Sequence, residues 1–365
     1  MHLKADELFI PGLWSNASSI FCHSFCPRLS KMSSRPNHDF FAIINRRMKK
    51  NDLSLQVLLI VVLLSEVCFS PTVYAAIPTL TLKDKLKMLE QKQTHQTDHF
   101  IFDLPVTYNK KVGAWISFFQ TKGKNFFREW LEKSTKYMPL LQSELRKSGL
   151  PTDLAYMVMI ESGFSNHAIS SAQAVGPWQF IETTGRNYGL KKNWWLDERR
   201  DIQKSTQAAI RYLSDLKNEF GSWYLVAASY NMGENGLRRQ IKRYGTSDYW
   251  QLVKLGALPQ ETQDYVPKIL AALMISKAPN LYGFREIAAQ YPLQFEQMWA
   301  PGGTDLDQLA DYLNITRKSM KDLNAELLLG YIPRQAAGHT IRIPAGSLRL
   351  AQQFLRDQNK KFALD

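Results

Sequence analysis

The chain is poor in cysteine, and none of its cysteines lies beyond residue 68. Cys22, Cys26 and Cys68 are the three that the 365 residues contain. Any segment from residue 76 onwards therefore contains no disulfide, and its stability has to come from packing. Cys22, Cys26 and the intervening His23 could suggest a metal site, but no second pair of ligands accompanies them. We predict neither a metal nor a cofactor.

Tracts of Lys and Arg interleaved with aromatic residues, which are typical of nucleic-acid-binding proteins, are also missing. The formal net charge is nevertheless +13, from 46 Lys and Arg against 33 Asp and Glu. Such an excess favours adsorption to a polyanion such as nucleic acid, anionic lipid or an acidic cell wall. We predict no nucleic-acid partner. A basic surface directed to a cell wall and one without an assigned partner are equally good interpretations.

Long hydrophobic runs are missing as well. The run from Leu53 to Leu64 is shorter than the roughly 20 residues that a membrane-spanning helix needs. Basic residues precede it and a small-residue cleavage site follows at Ala75, which together are typical of a secretory signal. We predict a signal peptide over residues 48–75 and export to the periplasm or cell envelope, with membrane association left open. Residues 1–47 are interpreted as an extension created by a misplaced start codon.

Alternating strand patterns are absent from residues 102–285. Apolar residues there recur three and four positions apart, and Gly and Pro interrupt the pattern as they do at helix ends. We predict an all-helical domain over these residues, preceded by a linker at 76–101.

The pattern changes near residue 290. Two segments that favour strands flank two that favour short helices: 294–299, 305–313, 318–327 and 339–343. This order predicts a small β-α-α-β module over residues 290–346, followed by a C-terminal helix and tail at 347–365. The predicted fold class is mainly α.

One carboxyl group lies at the end of a very apolar predicted helix. Pro151 suits the first position of this helix, and Asp153 complements the positive end of its dipole. Almost all residues from Leu154 onwards are apolar until Glu161, which stands just before the potential capping residue Gly163. Apolar surroundings and the negative end of the dipole would raise the pKa of this carboxyl, as a general acid requires. On the helix alone, a glutamate that merely reaches solvent is the more economical interpretation.

Three further motifs follow, each of them weak by itself. The first is a rigid turn that carries an indole and an amide, the second ends a helix with a phenol and an amide, and the third begins a helix. Aromatic faces and amides are groups that bind saccharides. The motifs are Gly176-Pro177-Trp178-Gln179-Phe180, Tyr230-Asn231 and Glu261-Thr262-x-x-Tyr265.

In combination, Glu161-Ser162 and these motifs resemble the lytic transglycosylases with a goose-lysozyme-like (SLT) domain, and more narrowly the membrane-bound lytic murein transglycosylase D type. The resemblance covers roughly residues 103–285. It implies a lysozyme-like helical fold and peptidoglycan as the partner. The implied reaction breaks the β-1,4 bond between N-acetylmuramic acid and N-acetylglucosamine and leaves a 1,6-anhydromuramic acid end. Residues 290–346 resemble a degenerate, peptidoglycan-binding LysM module, with a cap packed on the helical domain as the alternative.

The same resemblance implies roles for individual residues. Glu161 would protonate the glycosidic oxygen and then act as base on the muramoyl primary hydroxyl. Ser162 would orient the acid or the substrate, and Gln179 would bind an acetamido or hydroxyl group. Tyr230 and Asn231 would line the cleft near Glu161, and Tyr265 would contact sugar further along. Independently of the resemblance, the turn is expected to present the indole of Trp178 to the saccharide.

Most glycosidases use two carboxyl groups, and the sequence offers only weak candidates for a second one. Glu182 is expected to begin a helix, and Asp197 and Glu198 are expected to form structural ion pairs. One carboxyl serving both steps agrees with attack by a hydroxyl that the substrate itself holds. The alternatives are a muramidase that adds water, a chitin-cleaving enzyme and a non-catalytic wall-binding protein.

Overall fold

The computed structural model describes residues 102–362. The predicted extension at 1–47, the signal peptide at 48–75 and the linker at 76–101 lie outside the described residues. Within the described range, no helix is both long enough and apolar enough to cross a membrane.

The first part of the described chain is helical, as predicted. Between residues 110 and 282 it contains three short 3₁₀ helices, at Thr152–Ala155, Glu198–Arg200 and Pro279–Tyr282. Its α-helices are α1 (Lys110–Gln120), α2 (Lys124–Lys147), α3 (Tyr156–Ser162), α4 (Glu182–Asn187), α5 (Ile202–Phe220), α6 (Trp223–Met232), α7 (Glu234–Tyr244), α8 (Tyr249–Lys254) and α9 (Gln260–Lys277). The predicted mainly α fold class is confirmed.

Helices α3 and α9 form the centre of this domain. Helix α9 packs against α1, α3 and α6, and its residues from Ile269 to Ile275 are all buried. Met157, Val158 and Met159 of α3 have no exposed surface. A helix that is apolar on every side is stable only when other elements surround it. The sequence of α3 therefore requires the central position that it occupies.

The segment that precedes α3 differs from the single helix predicted there. Residues Thr152–Ala155 form a 3₁₀ turn before α3 begins at Tyr156. Asp153 is fully buried, where it accepts the backbone N–H of Asp103 at 2.9 Å and pairs with Lys277 at 2.7 Å. Asp153 thus attaches the start of this segment to the end of α9, in addition to lying near the helix dipole.

Gly163 ends α3, as predicted. Its backbone lies in the left-handed region at φ 56°, and its N–H donates to the carbonyl of Met159. A Cβ atom at this position would lie 2.1 Å from Nε1 of Trp130. Only glycine fits both the left-handed backbone and this close approach.

The last part of the chain has the predicted β-α-α-β order. It consists of β1 (Phe295–Pro301), α10 (Leu306–Tyr312), α11 (Arg317–Leu323), β2 (Gly338–Pro344) and the C-terminal helix α12 (Leu348–Phe362). The strands pair antiparallel, with Phe295 opposite Pro344 and Pro301 opposite Gly338. This order alone does not identify a LysM module, which stays a prediction.

This module packs tightly on the helical domain. Leu196, from the loop before α5, belongs to the same apolar cluster as Leu306 and Ile341 of the module. Arg342 of β2 is 2% exposed and lies 2.8 Å from Asp201, the N-cap of α5, and 2.7 Å from Glu326. A shared apolar cluster and a buried ion-pair network are what the cap alternative requires.

Arg342→Met is expected to lower the free energy of unfolding by about 3–5 kcal/mol, because the substitution leaves two buried carboxylates without their cationic partner. Denaturant unfolding followed by circular dichroism measures this loss. Arg317→Met is the matched control, since Arg317 pairs with Asp311 on the exposed surface, and its unfolding midpoint should stay close to that of the wild type. Equal midpoints for the two variants would contradict the structural role of Arg342.

Candidate active site

Glu161 lies in an open cleft of about 590 Å³. The loop at residues 170–184 forms one wall, the junction of α6 and α7 forms the other, and Tyr212 and Tyr230 lie between them. This volume lies within the roughly 300–1,000 Å³ of typical ligand pockets. A second cavity of about 200 Å³ near Tyr137 and Arg342 contains none of the residues of the sequence motifs.

The carboxyl group of Glu161 has its pKa raised to about 7. Desolvation by the surrounding protein is the largest cause, and the negative charge of Glu261 raises the pKa further. A hydrogen bond from Tyr265 and the positive charge of Lys268 act in the opposite direction. Near neutral pH this group therefore exchanges between its protonated and ionised forms, as a proton donor and acceptor must.

Tyr265 supports the Glu161 carboxyl directly. Its phenol hydroxyl donates to Oε1 of Glu161 from α9, and its side chain is buried. Desolvation and then the charge of Glu161 raise the pKa of Tyr265 well above its usual value, so the hydroxyl keeps its proton. The sequence had placed Tyr265 further along the saccharide. The structure instead places the Tyr265 hydroxyl on Glu161, because α9 packs against α3.

Tyr230 also lies near Glu161. Its side chain lines the cleft, and its hydroxyl donates to the carbonyl oxygen of Trp178 at 2.6 Å. Desolvation, followed by the charge of Glu161, raises the pKa of Tyr230 well above its usual value. The phenol therefore stays neutral and links α6 to the opposite wall of the cleft.

Trp178 does not face the cleft, in contrast to the prediction. Its side chain has no exposed surface, and its indole N–H donates to Oγ1 of Thr206 at 2.8 Å. The turn points residue 178 into the core and Gln179 into the cleft. The indole consequently packs the base of the wall and offers no face to a saccharide.

Gln179 occupies a constrained turn. Its own backbone is left-handed at φ 51°, and a Cβ atom on Gly176 would lie 1.9 Å from the carbonyl oxygen of Arg199. The amide nitrogen of Gln179 donates to the carbonyls of Gly176 at 2.7 Å and Ala168 at 3.3 Å. Both amide hydrogens are thus used within the loop, and the amide oxygen is the group left for a ligand.

Ser162 connects α3 to the same loop. Its hydroxyl donates to the carbonyl of Pro177 at 2.9 Å and accepts the N–H of Ser165 at 3.1 Å. This contact pattern holds the end of α3, and with it Glu161, against the wall of the cleft. Of the two roles predicted for Ser162, positioning of the acid is the one that these contacts favour.

Asn231 connects the cleft to a second carboxyl group. Its amide nitrogen donates to Oε1 of Glu261 at 3.2 Å, and its amide oxygen accepts the hydroxyl of Thr262 at 2.7 Å. Glu261 lines the cleft together with Glu161. The sequence indicates Glu261 as part of a motif at the start of a helix, without a role of its own. Its place in the motif with Tyr265 was the signal that could have assigned it to the site.

Part of the chain is similar to a known protein family. Residues 139–253 match the family described as the transglycosylase SLT domain.

Two curated relatives are similar in sequence to this chain. The chain is 34% identical over 209 residues to membrane-bound lytic murein transglycosylase D of Escherichia coli K12, an alignment that covers 56% of this chain and 45% of that protein. It is 26% identical over 164 residues to membrane-bound lytic murein transglycosylase C of Haemophilus ducreyi, covering 41% and 43%. The chain thus spans less than half the length of these relatives.

A solved structure, an inactive mutant of lytic transglycosylase Slt from Pseudomonas aeruginosa, is 20% identical and covers 41% of this chain and 25% of that one. Its TM-score of 0.32 is too low to support an argument. The helical architecture of residues 110–282 therefore rests on the elements described above.

Three acidic residues of the helical domain have structural roles, as the sequence predicted. Glu182 begins α4 and pairs with Arg186 and Lys192 on the surface. Asp197 forms a buried pair with Arg199 at 2.7 Å, and Glu198 pairs with Lys204. None of the three acids lines the cleft.

Glu161→Gln is expected to stabilise the protein at about pH 8 by up to about 3 kcal/mol and to have no such effect at about pH 4. The carboxyl ionises near 4.5 when unfolded but near 7 when folded. Ionisation therefore disfavours the folded state as the pH rises above 4.5, and glutamine removes this penalty. Denaturant unfolding at both pH values measures the difference. The same gain in Glu182→Gln, whose carboxyl is exposed, would contradict the assignment to a desolvated group.

Tyr265→Phe is expected to raise the pKa of Glu161 above about 7, because the lost hydrogen bond stabilised the carboxylate. Carbon NMR of the labelled side chain, titrated in both proteins, measures the shift. Tyr224→Phe is the control, since its hydroxyl bonds to Pro105 and Thr107 outside the cleft. A pKa that falls or stays constant in Tyr265→Phe would show that this hydrogen bond does not control the carboxyl.

Proposed function

We propose that this protein is a peptidoglycan lytic transglycosylase that cleaves the β-1,4 bond between N-acetylmuramic acid and N-acetylglucosamine. The observation that carries the proposal is the Glu161 carboxyl, whose pKa is raised to about 7, at the centre of an open cleft in an SLT domain. The similarity to membrane-bound lytic murein transglycosylase D supports peptidoglycan as the substrate.

In the first step, protonated Glu161 donates its proton to the glycosidic oxygen. The bond between this oxygen and the anomeric carbon of the muramic acid breaks, and positive charge develops on the sugar ring. Desolvation keeps a substantial fraction of Glu161 protonated near neutral pH. Tyr265 stabilises the carboxylate that remains after the proton has left.

In the second step, the ionised Glu161 accepts the proton of the primary hydroxyl on the same muramic acid. The hydroxyl oxygen forms a bond to the anomeric carbon, which gives the 1,6-anhydro end and restores the acid. Because the substrate itself holds the nucleophile, one carboxyl can serve both steps. Ser162 and Tyr230 contribute by holding Glu161 and the wall around it.

A hydrolytic muramidase is the second candidate, and Glu261 is the observation that favours it. Glu261 is another carboxyl group in the same cleft and is exposed. Enzymes that add water commonly use a second carboxylate as base or nucleophile. The product distinguishes the candidates, since hydrolysis leaves a reducing muramic acid that is heavier by one water.

We infer action in the cell envelope from the predicted signal peptide and from relatives named as membrane-bound. Binding of glycan by residues 290–346 would likewise hold the protein in the cell envelope. Neither inference depends on the chemistry at Glu161.

Mass analysis of products from purified sacculi tests the proposal. The wild-type protein is expected to release muropeptides with anhydro ends, and Glu161→Gln is expected to lose more than about 100-fold of the rate because the proton donor is gone. Glu182→Gln, an exposed substitution outside the cleft, is the matched control and should keep wild-type activity. Clearing of sacculi by Glu161→Gln would refute the catalytic assignment, and reducing ends from the wild type would select the muramidase instead.

A further inference from the structure

The cleft has an uneven distribution of charge. Among the described residues that line it, three are acidic: Glu161, Glu234 and Glu261. Arg239 is the single basic residue in the same set. An uncharged sugar chain has no group that requires a cation in the cleft, so the presence of Arg239 there needs a separate explanation.

Arg239 lies in the second turn of α7, and its side chain is exposed. One of its terminal nitrogens, Nη2, lies 4.0 Å from the point where a Cβ atom on Gly236 would be. Because Gly236 has no side chain, nothing at that position separates the guanidinium from the cleft.

Its neighbour Arg238 has a different environment. Arg238 pairs with Glu219 at 2.6 Å and donates to Oδ1 of Asn235 at 2.7 Å. Within the described part of the chain, Arg239 shows no ion pair of this kind. Two adjacent arginines on one helix thus differ: one is fixed by the protein, and the other is left available at the cleft.

We propose that Arg239 binds a carboxylate on the peptide stem of the substrate, an inference that rests on the proposed function. Muramic acid carries a peptide whose free carboxylates are the anionic groups of a stem-bearing glycan strand. A guanidinium recognises a carboxylate through two parallel hydrogen bonds. Arg239 is therefore a residue that determines specificity for stem-bearing strands.

The acidic residues of the cleft give this contact a direction. Asn231, near the end of α6, donates a hydrogen bond to Glu261. Arg239 lies in α7, the helix that follows α6 in the chain. Glu261 and Glu234 repel a stem carboxylate, whereas Arg239 attracts it. The strand is therefore expected to bind with its anionic stem at Arg239.

The contact acts on binding and leaves the proton transfers to Glu161. An exposed ion pair of this type contributes little more than a fivefold effect on affinity. We expect Arg239→Gln to raise KM for soluble, uncross-linked stem-bearing strands by about threefold to fivefold, with kcat affected far less.

The test compares these strands before and after their stem carboxylates are converted to neutral amides with carbodiimide and methylamine. The KM of the wild-type full chain should rise on amidation, and the KM of Arg239→Gln should be nearly insensitive to it. Lys242→Gln is the matched control, because Lys242 is an exposed cation of the same helix outside the cleft. It changes the net charge equally and should respond to amidation as the wild type does.

The inference would be overturned if amidation raised the KM of the wild type and of Arg239→Gln equally. It would also be overturned if Lys242→Gln lost its sensitivity to amidation as Arg239→Gln does, because this would indicate general attraction to a basic surface. Either result leaves the proposed function intact, provided that the wild type still releases anhydro ends. A wild type that cleaves neither form of the strands would overturn the proposed function and this inference with it.

Discussion

Everything at the candidate site depends on how little water reaches one carboxyl group. Burial of Glu161 at the end of α3 opposes its ionisation, and the phenol of Tyr265 partly offsets that effect by stabilising the carboxylate. The balance leaves the pKa of Glu161 at about 7. A proton donor that must also take a proton back needs this intermediate value, because a stronger or weaker acid would favour only one of the two steps.

The rest of the helical domain fixes the surroundings of Glu161. The left-handed turn at Gly163 stops α3 at the carboxyl, and the loop around Gln179 is fixed by its own backbone contacts. Arg199 reinforces that loop from beneath, since it donates to the carbonyl of Phe180 at 3.1 Å while it is paired with Asp197. The buried pair that looked unrelated to catalysis thus supports one wall of the cleft.

The C-terminal module is also held by buried contacts with the helical domain. Its strand β2 carries Arg342 to the N-terminus of α5, and Leu196 of the helical domain completes its apolar cluster. Residues on either side of this interface therefore depend on each other for burial. A module joined in this way can hold the loop before α5, whether or not it also contacts glycan.

The sequence by itself determined the helical class, the β-α-α-β order and the position of Glu161 before a capping glycine, because periodicity and glycine preference act over a few neighbouring residues. It could not decide which motif residues meet. Tyr265 is 104 positions from Glu161 along the chain and yet bonds to it, Trp178 turns into the core, and Glu261 and Arg239 enter the cleft. Only the packing of α3, α6, α7 and α9 decided these placements, since spacing along a helix assigns a residue to a face but not the neighbour that this face contacts.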